Sequence, residues 1–144
     1  MHAVSSLLIG FLSLAAMYSA SPAHAADEAA KLKARAAVER QIEAFHKDDA
    51  ATAYAQAAPS IQGMFTSPET FIEMVRKGYA AVYRARSFSI DRVEESGEDG
   101  ISLGVKLQDE NGIDWMALYS LEKQSDGDWR ISGCRLVKAP GSAA

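Results

Sequence analysis

The hydrophobic period of this chain changes once, near Arg86, and that change confines the fold more than any other feature. Residues 26–58 are rich in alanine and contain neither glycine nor proline until Pro59, a composition that favours helix. Within them Val38, Ile42 and Phe45 recur at i, i+4 and i+7, and Leu32 extends the same apolar stripe backwards. Glu39, Arg40, Glu43 and Lys47 fall on the opposite side. Asp48-Asp49 is placed to end this helix and cap the next, from Ala50 to Ala57, which Pro59 stops. A short turn from Pro59 to Phe65 leads to Ser67-Pro68-Glu69, with an N-cap serine, a first-position proline and a first-turn acid. Phe71, Val75 and Gly78 share one face of that helix, which ends between Gly78 and Val82.

After Arg86 the period is 2. Phe88 and Ile90 alternate, and Val93 breaks phase, the mark of a bulge. Ile101, Leu103, Val105 and Leu107 alternate without interruption, as do Ile113, Trp115, Ala117, Tyr119 and Leu121. Trp129 and Ile131 follow, and Gly133 resets the phase to Cys134 and Leu136. The intervening segments Gly97-Glu98-Asp99-Gly100, Asp109-Glu110-Asn111-Gly112 and Ser125-Asp126-Gly127-Asp128 are tight-turn sequences. A four-stranded antiparallel meander with one apolar face must bury it, and the preceding helices carry the available apolar stripes. The expected fold is α+β: N-terminal helices packed in the concavity of a curved four-stranded antiparallel meander.

The segment ahead of this domain reads as an address. Val4 to Met17 is apolar or small throughout and uncharged, shorter than the roughly 20 residues a bilayer crossing needs. Pro22 and then Ala23-His24-Ala25 follow, a helix breaker and a small-x-small cleavage site. The reading is a signal peptide over 1–25, cleaved after Ala25, a single domain over 26–138 and a flexible tail over 139–144. A periplasmic or secreted location follows, with no stable membrane insertion after cleavage. Removing 1–25 takes away two of the three histidines and leaves His46 as the last imidazole.

Chemistry is confined by what remains. The net charge of −4 argues against a nucleic-acid partner, and the single cysteine rules out an intramolecular disulfide. Neither a histidine-based metal site nor a cofactor motif is present. The candidates for acid–base catalysis are His46, Asp48 and Asp49, residue types that enzymes use in pairs with tuned pKa values. The candidates for ligand binding are Tyr79, Tyr83, Arg84, Trp115 and Tyr119. Residues 59–90 carry a net positive charge and 91–144 a net negative one. A basic, tyrosine-rich helix end beside an acidic sheet suits a small anionic ligand, with Arg84 as the bidentate group; the aromatic strand residues suit an apolar one. Cys134 reads as a buried, inert thiol.

The order of these elements, closing on Asp126-Gly127-Asp128-Trp129-Arg130-Ile131, resembles the nuclear transport factor 2-like superfamily. More narrowly, the chain is similar to the bacterial domain of unknown function 4864 family. The similar pieces are Gln41-Ile42-x-Ala44-Phe45, Ala57-Ala58-Pro59-Ser60-Ile61-Gln62, Met74-Val75-x-x-Gly78-Tyr79, Val82-Tyr83-Arg84 and Trp129-Arg130-Ile131-x-Gly133-Cys134. Taken together they cover roughly residues 38–138. The resemblance implies a cone with a cavity between sheet and helices, and a sheet that often forms a homodimer. The superfamily includes isomerases and dehydratases as well as non-catalytic modules, so it implies no single activity. Two expectations stand: a non-enzymatic domain binding a small ligand or protein partner, or a cofactor-free isomerase or dehydratase with an acid–base pair in its cavity. Mass spectrometry of the exported protein is expected to give a chain beginning at Ala26; an intact start at Met1 would refute the cleavage.

Overall fold

The structure, a computed structural model, describes residues 21–140. The apolar run of the expected signal peptide lies outside them. Among the described residues, helices α1 (Pro22–His46), α2 (Ala50–Ala55), α3 (Pro59–Met64), α4 (Pro68–Gly78) and α5 (Ala80–Tyr83) come first. Strands β1 (Ser87–Glu95), β2 (Gly100–Gln108), β3 (Asp114–Lys123) and β4 (Trp129–Lys138) follow, antiparallel and in sheet order β1-β2-β3-β4. This is the expected α+β architecture, helices followed by a curved antiparallel meander.

The α1 helix shows where local pattern and packing agree. Its buried side is Ala34, Ala37, Val38, Gln41, Ile42, Ala44 and Phe45, the stripe read from the sequence with alanines filling its flanks. Leu32 departs from expectation: it is 66% exposed, because the turns of α1 from residue 21 to 29 are solvent-exposed and the core begins at Ala34. Pro22 does not break a helix but opens one. It sits in the first turn, where a missing N–H removes no hydrogen bond, and the Ser21 hydroxyl accepts from His24 N at 3.3 Å.

Two further departures share one cause. The α2 helix stops at Ala55 rather than Ala57 because the next residues are recruited by β4. Ile131 N donates to Gln56 O and Ala58 N donates to Ile131 O, both at 2.8 Å, making a parallel bridge between Ala57 and Ile131. Pro59 then starts α3 where a turn was expected. This helix buries none of its residues completely and is tied down by polar contacts. The Tyr54 hydroxyl lies 2.6 Å from Phe65 O and 3.1 Å from Gln62 O, and Gln62 Nε2 donates back to Tyr54 O at 3.1 Å. In α4 the expected start is realised: Ser67 Oγ accepts from Thr70 N at 3.1 Å, with Pro68 and Glu69 in the first turn and Arg76 and Lys77 in the last.

The sheet bends where its phase breaks. In β1 the register shifts between Ile90 and Arg92, leaving Asp91 as the extra residue, two positions before the Val93 break in the pattern. In β4, Ser120 pairs with Gly133 and Leu121 with Ile131, so Ser132 is the extra residue and Gly133 resumes the ladder. Gly127 holds a φ of 86° in the last turn, a backbone region that glycine enters without strain. The inner face, formed by Ile101, Leu103, Val105, Leu107, Ala117, Tyr119, Leu121, Trp129 and Ile131, joins the helical residues in one buried cluster. Ala139 N still bonds to Asp114 O at 3.0 Å, so the ladder reaches one residue into the expected tail; 141–144 lie outside the described residues.

Ile42→Ala is expected to lower the unfolding free energy by about 2–5 kcal/mol. Leu32→Ala is expected to change it by less than about 0.5 kcal/mol. Urea denaturation of the two variants, compared at equal m-value, checks both.

Candidate functional site

Where the helices and the bent sheet do not fill the space between them, a cavity of about 230 Å³ remains. Its apolar walls come from α1 (Phe45), α4 (Phe71, Val75), α5 (Val82) and β4 (Ile131). Ile61, Met64 and Phe65, in and just after α3, and Met74 of α4 also line it; Met64 is 67% exposed and marks the opening. The volume is below the roughly 300–1,000 Å³ of pockets for drug-sized ligands.

Three polar groups of the lining, Tyr79, Tyr119 and Cys134, meet on one wall. Tyr79, after α4, donates its hydroxyl to Cys134 O at 3.1 Å. The buried Tyr119 of β3 is hydrogen-bonded to the Cys134 thiol. Burial pushes the Cys134 thiol up to about 12, against a smaller opposing effect of the Tyr119 hydrogen bond. Burial likewise raises Tyr119 well above the ordinary tyrosine value, with the Cys134 and Tyr79 groups beside it adding to the rise. Both groups are therefore protonated at neutral pH. Gln41, 3% exposed, directs its amide nitrogen to Ala53 O at 3.1 Å.

The residues singled out from the sequence are divided among three places. Tyr79 and Tyr119 meet at the cavity wall. Tyr83 and Arg84 belong instead to a polar knot at the C-terminus of α1. There Asp48 adopts a left-handed backbone conformation, φ 54°, which aspartate tolerates better than most residues. Its Oδ1 accepts from the Tyr83 hydroxyl and from Arg84 Nη2 at 2.6 Å, and Arg76 Nη2 lies 3.6 Å away. Arg76 Nε in turn donates to the Tyr83 oxygen at 3.1 Å. Both guanidinium groups lie against the Tyr83 ring, at 4.5 Å for Arg84 and 5.3 Å for Arg76. Arg84 Nη1 donates to Phe45 O at 3.0 Å, which also accepts from Asp48 N at 3.1 Å, and approaches His46 O at 3.4 Å, both carbonyls of the last turn of α1. Arg84 thus caps this helix end while it binds the Asp48 carboxylate.

The candidate acid–base residues lie at the same helix end. Asp49 caps α2, its carboxylate accepting from Thr52 N at 3.1 Å. Asp48 holds the knot, and the exposed His46 sets its ring edge-on to Phe88 at 6.2 Å. None of the three lines the cavity. Trp115 is also elsewhere: its Nε1 donates to Asp109 Oδ2 at 2.8 Å and Lys138 Nζ lies 5.8 Å over its ring. Sequence reasoning missed the share of Phe45, Phe71, Met74 and Cys134 in the cavity. Of these Cys134 carried a usable signal, since the reset at Gly133 turns its side chain inward beside Tyr119.

A curved antiparallel meander over helices, with a cavity between the layers, places the protein among the nuclear transport factor 2-like folds. An NTF2-like protein of unknown function from Shewanella baltica OS155 superposes with a TM-score of 0.52 at 12% identity, covering 85% of this chain and 100% of that one. Another NTF2-like protein of unknown function, from Burkholderia pseudomallei K96243, gives a TM-score of 0.41 at 16% identity, covering 74% and 91%. The chain belongs to the family described as a domain of unknown function, DUF4864, which matches residues 27–144. No curated protein matches it in sequence. Among the described residues no helix is long and apolar enough to cross a membrane.

The knot makes stability depend on pH in a defined direction. The Tyr83 and Arg84 hydrogen bonds, ahead of the Arg84 and Arg76 charges, hold Asp48 below its ordinary value. A depressed carboxylate contributes stability above its unfolded pKa, near pH 4, and loses it as pH falls through the folded value. Asp48→Asn, which keeps a residue tolerant of the left-handed conformation, is therefore expected to lower the melting temperature at pH 7. The deficit should shrink toward pH 2–3, where the wild-type carboxylate is protonated too. An equal deficit at both pH values would refute the ionised knot.

Proposed function

We propose that this protein is an exported, non-enzymatic binding domain whose cavity holds a small, largely apolar ligand. The observation that carries the reading is the cavity of about 230 Å³, lined by Phe45, Phe71, Val75 and Ile131 and given a polar wall by Tyr79, Tyr119 and Cys134. Catalysis by an acid–base pair needs a tuned titratable group facing the substrate. The described residues lining the cavity include neither a carboxylate nor an imidazole, and Asp48 and Asp49 have structural partners elsewhere. An apolar ligand is favoured over an anionic one because Arg84 is engaged by Asp48 and by the carbonyl of Phe45.

Export is compatible with the architecture of α1. Among the described residues, cleavage after Ala25 removes only 21–25, all of them exposed. It also brings Asp27 and Glu28 into the new first turn, where negative charge is favourable. Self-association through the outer sheet face is a second reading, favoured by Met116 and Leu118, half-buried there, and the exposed Val137 paired with Met116.

Native mass spectrometry of protein purified from its own source is expected to show a bound small molecule released on activation, and the same spectrum reads the oligomer. Met74→Trp, which puts a bulky ring into the cavity wall, is expected to abolish the adduct while the variant stays folded. Bare chain in every preparation, or an adduct that Met74→Trp leaves untouched, would overturn the cavity as the binding site.

A further inference from the structure

The polarity of the tyrosine wall goes further than the size of the cavity. Tyr79 commits its proton to Cys134 O, and Tyr119 shares a hydrogen bond with the Cys134 thiol. Moving the Tyr79 proton to a ligand would strip the Cys134 carbonyl of this bond in a partly buried site, which is unfavourable. The hydroxyl oxygens, in contrast, keep lone pairs able to accept. The wall therefore offers acceptors more readily than donors. The cavity lining contains no Lys, Arg or His among the described residues, so nothing there compensates an anionic ligand for lost hydration. Gln41 does not reverse this: one of its two amide N–H groups is given to Ala53 O, and its Oε1 is an acceptor beside the remaining N–H.

We infer that the cavity selects a neutral, mainly apolar molecule carrying one hydrogen-bond donor, a hydroxyl or N–H, which it gives to the Tyr79 oxygen. This rests on the reading of the cavity as a binding site and names the ligand chemistry within it. A cavity of about 150 Å³ elsewhere accommodates benzene; the 230 Å³ here has room for a body of about two fused rings. The same constraints disfavour carboxylates, whose charge would be buried unpaired, and hydrocarbons, which leave the Tyr79 oxygen without a new partner.

Three probes of nearly equal shape separate these terms: 2-naphthol, naphthalene and 2-naphthoate, titrated calorimetrically into the full folded chain at pH 7. The naphthol is expected to bind about five- to tenfold more tightly than naphthalene, the range of one neutral hydrogen bond. The naphthoate is expected to bind more weakly than naphthol by about a hundredfold or more, reflecting an unpaired buried charge. Tyr79→Phe is expected to remove the naphthol preference while naphthalene binds as before, which also reports that the variant retains its cavity. Equal affinity for naphthol and naphthalene, tight naphthoate binding, or a preference that survives Tyr79→Phe would overturn the donor selectivity and leave the cavity reading standing. Failure of all three probes to bind would overturn both.

Discussion

Everything in this molecule depends on burying one apolar helix stripe against one concave sheet face. Val38, Ile42 and Phe45 are at most 2% exposed, and they share a core with Leu103, Val105 and Leu121 of the sheet. Area removed from water contributes about 25 cal/mol per Å², so a few such side chains supply a large part of a margin that is itself only about 5–15 kcal/mol. Neither layer can bury its face alone. The helices would expose their stripe and the meander its inner surface.

The same arrangement explains why the charged residues near α1 serve architecture. A long helix ends with carbonyls lacking partners, and the chain must turn sharply there to start α2. Arg84 reaches those carbonyls, Asp49 caps the next helix, and Asp48 takes the left-handed conformation of the turn while binding Tyr83 and Arg84. A group of residues that resembles catalytic machinery in one dimension is thus a junction between helices in three.

The cavity is a by-product of curvature that the chain has lined with aromatic and sulfur-containing residues. The Ser132 bulge and Gly133 turn Cys134 toward Tyr79 and Tyr119, and the bridge between Ala57 and Ile131 sets α3 beside the opening. Because α3 buries none of its residues completely and is held through Tyr54 and Gln62, the wall nearest solvent is the least tightly packed part of the site. Local opening is concentrated in such segments.

Much of the fold was legible because its signals are local. The 3.6 period of Val38, Ile42 and Phe45, the Ser67-Pro68 start, the period-2 strands and the turn glycines each express preferences decided within a few residues. The bulges were legible as phase breaks, displaced by two positions in β1 because a pattern shows where phase has changed, not which residue is extra. The candidate site was legible only in part. Tyr79 and Tyr119 were among the residues named, but Arg84, Tyr83 and Trp115 were grouped with them on charge and aromaticity alone. Leu32 continued a stripe that had no sheet to meet, and Pro59 opened a helix whose neighbours were diverted by β4. The sequence by itself determined the elements, their order and the faces they must bury, since periodicity and capping are properties of short segments. Only the tertiary structure decided which polar side chains face the cavity and which close the end of a helix. Those choices depend on partners tens of residues away, such as Arg84 for Phe45 and Cys134 for Tyr79, that no local pattern encodes.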